Sequence, residues 1–190
     1  MVKEILINPI ENCIKEKNDK KYIIIIDTLR YDFDKYLKSL SKKDYAPCYI
    51  IRKDGKIHKL YDDSYYSNVC YYEKINKNSI FIALENAGQL EKDKNSYINW
   101  CNEIVNGSES DETIVQNNFN YYESYTSIQI ESLGYMIIYL GNKYKLSLKE
   151  INKYNKDENS VVFLKDIDIT SYSPNPSFNV EKLNSIIFKN

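Results

Sequence analysis

Imidazole is the side chain best suited to proton transfer at neutral pH and to binding transition metals, and this chain of 190 residues has one, His58. Cys48 stands ten residues before it. A thiol becomes a nucleophile when a base or a positive neighbour draws off its proton. An even separation across a hairpin would set both side chains on one face, so a Cys48–His58 pair is one candidate. The plainer reading of His58 is a surface or partly buried side chain, since a single imidazole does not make a site. The other thiols, Cys13, Cys70 and Cys101, are irregularly spaced. With no Cys-x-x-Cys pair a zinc knuckle is unsupported, and reduced thiols are expected. Tyr61, Tyr65, Tyr66, Tyr71 and Tyr72 crowd one stretch and could stack on sugars or pack on a partner. A composition of 19 tyrosines, with abundant Lys, Asn and Ile, explains them equally well as the mark of an AT-rich genome.

The elements that would position these groups follow from patterning. Residues 21–27 hold Ile23-Ile24-Ile25-Ile26, a β-branched run that reads as a buried central strand. Phe33, Tyr36, Leu37 and Leu40 fall at helical spacing, with Asp32 placed to cap the start. Residues 46–52 and 56–61 read as two strands around Lys53-Asp54-Gly55, a tight-turn signal. Residues 79–84 are a further apolar strand, and Glu85-Asn86 read as the turn behind it. Residues 127–144 are the clearest helix, with Ile130, Leu133, Ile137, Leu140 and Tyr144 on one stripe, weakened by Gly134 and Gly141. Residues 161–164 read as a strand, 170–177 as a loop stiffened by Pro174 and Pro176, and 180–188 as a last helix.

Less is legible elsewhere. Residues 1–20 could form a short helix or an arm, 62–77 a polar loop, and 148–154 a short helix. Residues 91–120 read as an insertion with one hairpin or helix around 97–105, a turn at Asn106-Gly107-Ser108 and an exposed acidic tip at 109–112. Strands alternating with helices indicate an α/β domain with a central mixed sheet flanked by helices, and the length suits one domain over 1–190. Charge excludes more than it proposes: 26 Lys and Arg balance 27 Asp and Glu, which leaves no basic footprint for nucleic acid. No apolar run approaches the roughly 20 residues that span a bilayer. Lys3 and Glu4 precede only a short apolar patch, so the N-terminus lacks a signal-peptide layout.

Several segments in order resemble the type 2 N-acetylmuramoyl-L-alanine amidases, which include phage lysozyme-amidases and the peptidoglycan recognition proteins. They are the apolar strand ending in Asp27-Thr28, the Tyr-Ile-Ile-Arg-Lys-Asp-Gly-Lys-Ile hairpin from Tyr49, Asn-Ser-Ile-x-Ile-x-Leu-Glu-Asn-x-Gly from Asn78, Tyr-Thr-x-x-Gln-x-x-Ser-Leu from Tyr125, and Pro-Ser-Phe near the end. The resemblance runs from about residue 22 to 188, with 91–120 poorly matched. It implies the amidase fold, a peptidoglycan or protein partner, and a zinc site whose residues this chain has lost. The first histidine ligand falls at Ile26 or Asp27. A histidine or tyrosine before the hairpin falls at Pro47 and Cys48. The glutamate that acts on water falls at Ala83, the second histidine at Leu164, and the third ligand at Ser173 or Asn175.

Catalytic zinc needs three protein ligands with lone pairs and an open position for water. Without the metal, water keeps a pKa near 15.7 and supplies no hydroxide at neutral pH. The resemblance with these replacements therefore implies no catalytic residues, no metal and no cofactor. It implies a phage-encoded binding or structural module, such as a tail component or host-interaction factor, made in the host cytoplasm and open to incorporation into a virion. Tyr65, Tyr66, Tyr71 and Tyr72 are its candidate groove or partner contacts. The competing reading is an active wall hydrolase with a relocated site, either Cys48 with His58 or Asp27, Asp166 and Asp168 around Mg²⁺ or Ca²⁺. Solvated loop charges are the simpler account of those aspartates.

Overall fold

The isoleucine run forms β2 (Tyr22–Asp27), and all four of its isoleucines are buried. Branching at Cβ suits them to a strand covered on both faces. The computed structural model describes residues 5–110, 112–148, 160–163 and 174–188. In it β2 lies beside β5 (Ser79–Leu84) and β11 (Ser160–Phe163), parallel to both. β3 (Tyr49–Ile51) runs parallel to β5 on its other side and pairs antiparallel with β4 (Ile57–Lys59) through a turn at Gly55. Gly55 has φ 79°, the left-handed conformation expected of glycine there. The amino-terminal stretch contributes an edge strand, β1 (Ile5–Ile7), parallel to β4, and no helix among its described residues. The resulting six-stranded mixed sheet has the order β1-β4-β3-β5-β2-β11.

Helix α1 (Phe33–Leu40) begins where Asp32 accepts a hydrogen bond from the Lys35 amide, and it buries Phe33, Tyr36 and Leu40. Helix α3 (Ser127–Tyr144) is capped in the same way by Thr126, and Ile130, Leu133, Ile137 and Leu140 go into the core together with Met136. Helix α4 (Val180–Ile187) starts at Asn179, packs on α3 and buries Leu183. The stretch 62–77, expected to be a loop throughout, ends in a short helix, α2 (Glu73–Asn78). Its buried Asn76 exchanges hydrogen bonds with both backbone groups of Cys70, which replaces the apolar stripe that would have marked a helix. All but the first residue of the helix expected at 148–154 lies outside the described residues.

The poorly matched third is a second sheet. Strands β6 (Gln89–Asp93), β7 (Ser96–Asn99), β8 (Ile104–Val105), β9 (Ile114–Asn117) and β10 (Asn120–Glu123) form five antiparallel strands in the order β8-β7-β6-β10-β9. Tyr97 pairs with Val105, so the hairpin expected around 97–105 is present and the helical alternative is not. Ala87, Leu90, Tyr97, Val105 and Ile114 form a small core of their own, with Tyr31 and Tyr121 packed on it. Glu103 fastens this sheet to the end of β2. Its buried carboxylate accepts from the Tyr31 amide (2.9 Å), from Asn99 Nδ2 (2.7 Å) and from Arg30 (3.4 Å).

Candidate functional site

The carboxyl ends of β2 and β5 and the segment after Pro174 meet in a buried polar cluster. Asp27 closes β2 with 1% of its surface exposed. Tyr125, just ahead of α3, donates its hydroxyl to the Asp27 carboxylate at 2.6 Å. The Asn175 amide donates to Asp27 Oδ2 (3.2 Å) and to the Tyr125 oxygen (2.9 Å). Its side-chain Nδ2 donates to Asn86 Oδ1 (2.9 Å) and to the Glu123 carbonyl (3.0 Å). Asn86 in turn donates to that same carbonyl at 3.1 Å. Below this, Glu123 accepts from the Ala87 amide (2.6 Å) and from Lys53, whose ammonium lies 4.1 Å from the centre of the Tyr31 ring. Glu85 accepts from Arg52 Nε (3.2 Å) and from the Lys53 amide (3.1 Å). Buried polar groups need such partners, and this cluster supplies them internally.

Burial pushes the Asp27 carboxyl well above the usual carboxylate range, against the pull of the hydrogen bonds from Tyr125 and Asn175. Glu123 is likewise raised by burial, with Lys53 acting the other way. A raised carboxylic acid can serve as a proton donor, but an enclosed one cannot reach a substrate. The arrangement ties three chain segments together; it does not present an activated group.

Positions expected to matter fall into three sets. Ile26 is buried and pairs across the sheet with Ala83, whose other neighbour is Ile50. That row offers no lone pair. Asp27 and Asn175 do come together, as acceptor and donor. Pro47 and Cys48 are buried; the Cys48 thiol donates to the Tyr61 carbonyl at 3.5 Å, and burial holds its pKa well above the ordinary thiol value. His58 turns Nδ1 to Asn8 Oδ1 (2.7 Å) and lies against Phe33 at 4.7 Å between ring centres. Cys48 and His58 thus have separate partners and form no nucleophile–base pair. Leu164, Asp166, Asp168 and Ser173 lie outside the described residues.

The zinc implied by the resemblance does not fit the described positions. Asp27 spends its oxygens on Tyr125 and Asn175, and neither Ile26 nor Ala83 can coordinate an ion. Among the described residues no three His, Cys, Asp or Glu side chains gather where they could hold a metal. All four cysteines are free.

Beside the cluster opens a cleft of about 1250 Å³, walled by the second sheet on one side and by residues 174–180 on the other. The tyrosines singled out in the sequence are elsewhere. Tyr66 is buried, Tyr71 and Tyr72 are exposed, and none of Tyr65, Tyr66, Tyr71 or Tyr72 lines this cleft. Aromatic side chains on its wall are Trp100, Tyr122 and Phe178, none of them a candidate contact in the sequence. Glu123 was equally hidden, as one acid in a tyrosine-rich run; its nearness to the Tyr125-Thr126 motif was the available signal.

No family model matches the sequence, and a search of curated proteins finds no relative. Solved structures do match across nearly the whole chain. The N-acetylmuramoyl-L-alanine amidase LysC from Clostridium intestinale URNW aligns over 94% of this chain and 95% of its own, at 16% identity and a TM-score of 0.53. Staphylococcus aureus hydrolase AmiA, solved in complex with its ligand, aligns over 98% of this chain and 82% of its own, at 9% identity and a TM-score of 0.61. The Ph2119 endolysin from Thermus scotoductus MAT2119 bacteriophage Ph2119 aligns over 95% and 98%, at 11% identity and a TM-score of 0.55. With its mixed sheet, long helix α3 and closing helix α4, the chain has the fold of the N-acetylmuramoyl-L-alanine amidases.

Proposed function

We propose that this chain is a phage-encoded cell-wall-binding protein that keeps the amidase fold and has given up the amidase reaction. The observation that carries the reading is the Asp27–Tyr125–Asn175 cluster. Where the resemblance calls for the first and third zinc ligands, an aspartate and an asparagine bind each other and a tyrosine. Ile26, the other reading of the first ligand's place, stands in one row of the sheet with Ala83 at the glutamate's place; the sequence match gives Leu164 for the second histidine and Ser173 as the other reading of the third ligand. A hydrolase would need a carboxylate or imidazole at several of these places.

Binding is what the fold leaves available. Escherichia coli AmiD, a structural neighbour aligned over 90% of this chain and 59% of its own at 19% identity, was solved with anhydro-N-acetylmuramic acid-L-Ala-D-γ-Glu-L-Lys. The corresponding ligand class for this chain is peptidoglycan, held beside the former metal position. A role in a virion tail or in contact with the host fits an endolysin-like scaffold with no reaction to perform. The test is co-sedimentation with insoluble peptidoglycan at low salt. Retention in the pellet is expected, and a chain that stays wholly in the supernatant contradicts wall binding and leaves a structural part without wall affinity.

A further inference from the structure

Trp100 is the chain's single tryptophan, and it lies 67% exposed on the second sheet. An exposed indole is ordinarily free to turn, but this one is fixed. Its Nε1 donates to the Leu29 carbonyl at 2.7 Å, and the Arg30 guanidinium lies over the ring at 5.4 Å from its centre. The residues that hold it follow directly on Asp27-Thr28, so the platform is tied to the end of β2. Trp100 lines the cleft together with Ile98, Tyr122 and Phe178, and amides at Gln89 and Asn102 lie along the same wall.

From this we infer that the cleft is a saccharide site: Trp100 is a stacking platform for an uncharged sugar chain, carried by the second sheet. The inference rests on the wall-binding reading and names the part of the wall that is held. Three observations choose the occupant. The cleft exceeds the roughly 300–1000 Å³ of small-molecule pockets, which suits a chain-like ligand. The electron-rich face of an indole favours the weakly positive C–H groups of a pyranose ring, while side-chain amides can exchange hydrogen bonds with hydroxyl and acetamido groups. Charge argues against the peptide stem with its carboxylates. The only charged residues among the described lining are Glu91, Lys92 and Asp93, and Lys92 is already paired with Glu109 at 2.8 Å. A cleft with a net negative lining and a spent cation suits a neutral glycan.

Because Trp100 is the one tryptophan, its emission reports the site directly. Titration with a soluble N-acetylglucosamine tetramer is expected to shift and quench the emission to saturation. Trp100→Ala, checked for folding by far-UV circular dichroism, is expected to bind the tetramer about tenfold more weakly by calorimetry. Trp100→Phe, which keeps a stacking face, is expected to fall between. Emission that ignores the tetramer at millimolar concentration overturns the inference, as does a response to L-Ala-D-γ-Glu-L-Lys in place of the sugar. Should Trp100→Ala fail to fold, the wild-type titration decides alone. A chain that sediments with the wall while its tryptophan ignores the sugar defeats only the saccharide site; a chain that responds to the tetramer but never sediments defeats only wall binding.

Discussion

Asp27 carries most of the argument at the scale of single residues. Its folded-state pKa lies above the unfolded value, so its contribution to stability is complete below the ordinary carboxylate range and is lost as pH rises through the raised value. Asp27→Asn keeps a side-chain oxygen that can accept from the Tyr125 hydroxyl and the Asn175 amide and removes the titration. Urea midpoints measured across pH should therefore show the variant gaining on the wild type as pH rises above ~4, and a pH-independent difference would count against this account. Asp27→Ala leaves the buried Tyr125 hydroxyl without its acceptor and should cost about 1–3 kcal/mol. Asp63 behaves with the opposite sign. Burial alone would raise it, but hydrogen bonds from Lys143 and Lys59 outweigh that and hold it at about 2. Its contribution is present above the unfolded carboxylate value and is lost as pH falls toward about 2, so Asp63→Asn should flatten the acid limb of the same curve. Asp27 was legible because it ends an isoleucine strand beside a recognisable Thr28. Glu123 and Trp100 were not, because their roles come from chain segments far away in sequence.

Elements with a long or uniform pattern were readable, and short mixed ones were not. The isoleucine strand, the capped helix at Asp32 and the stripe on α3 each repeat a signal over two or more turns or pleats. In the second sheet, β6 has one buried residue, Leu90, among five, which is too little alternation to reveal a strand. The glycines of α3 read as weak points and prove to be places of close approach. A Cβ at Gly134 would stand 2.5 Å from Ile186 Cγ2 of α4, and one at Gly141 would stand 2.9 Å from Leu148 Cδ1. Helix propensity favours Gly134→Ala by about 1 kcal/mol, but overpacking costs about 1–3 kcal/mol. The variant should be destabilised, and Ile186→Ala, which removes the obstructing Cγ2, should cost less in the Gly134→Ala background than in the wild type; a more stable single variant would mean that α4 does not sit on α3 as described. Glu103 sets the position of the second sheet in a similar way. Glu103→Ala strands the Tyr31 amide and should speed hydrogen exchange in β7 and β8 while moving Trp100 emission, with β2 exchange unchanged.

For the molecule as a whole, the fold and the chemistry part company. A sheet of six strands, with helices α3 and α4 closing it, reproduces the amidase architecture at identities too low to show more than the fold. The second sheet has its own core and shares a cleft with the loop after Pro174. On the proposed reading, the places where an amidase holds metal and water are filled by isoleucine, alanine and a closed hydrogen-bond cluster. No helix among the described residues is long and apolar enough to cross a membrane. The central claim is loss of catalysis with retention of the wall, and the most direct measurement is release of free amino termini from purified peptidoglycan with zinc, magnesium or calcium added. The account predicts no release above the protein-free control under any metal while the protein stays on the wall. Metal-dependent release that disappears in Asp27→Ala or Cys48→Ala would contradict it.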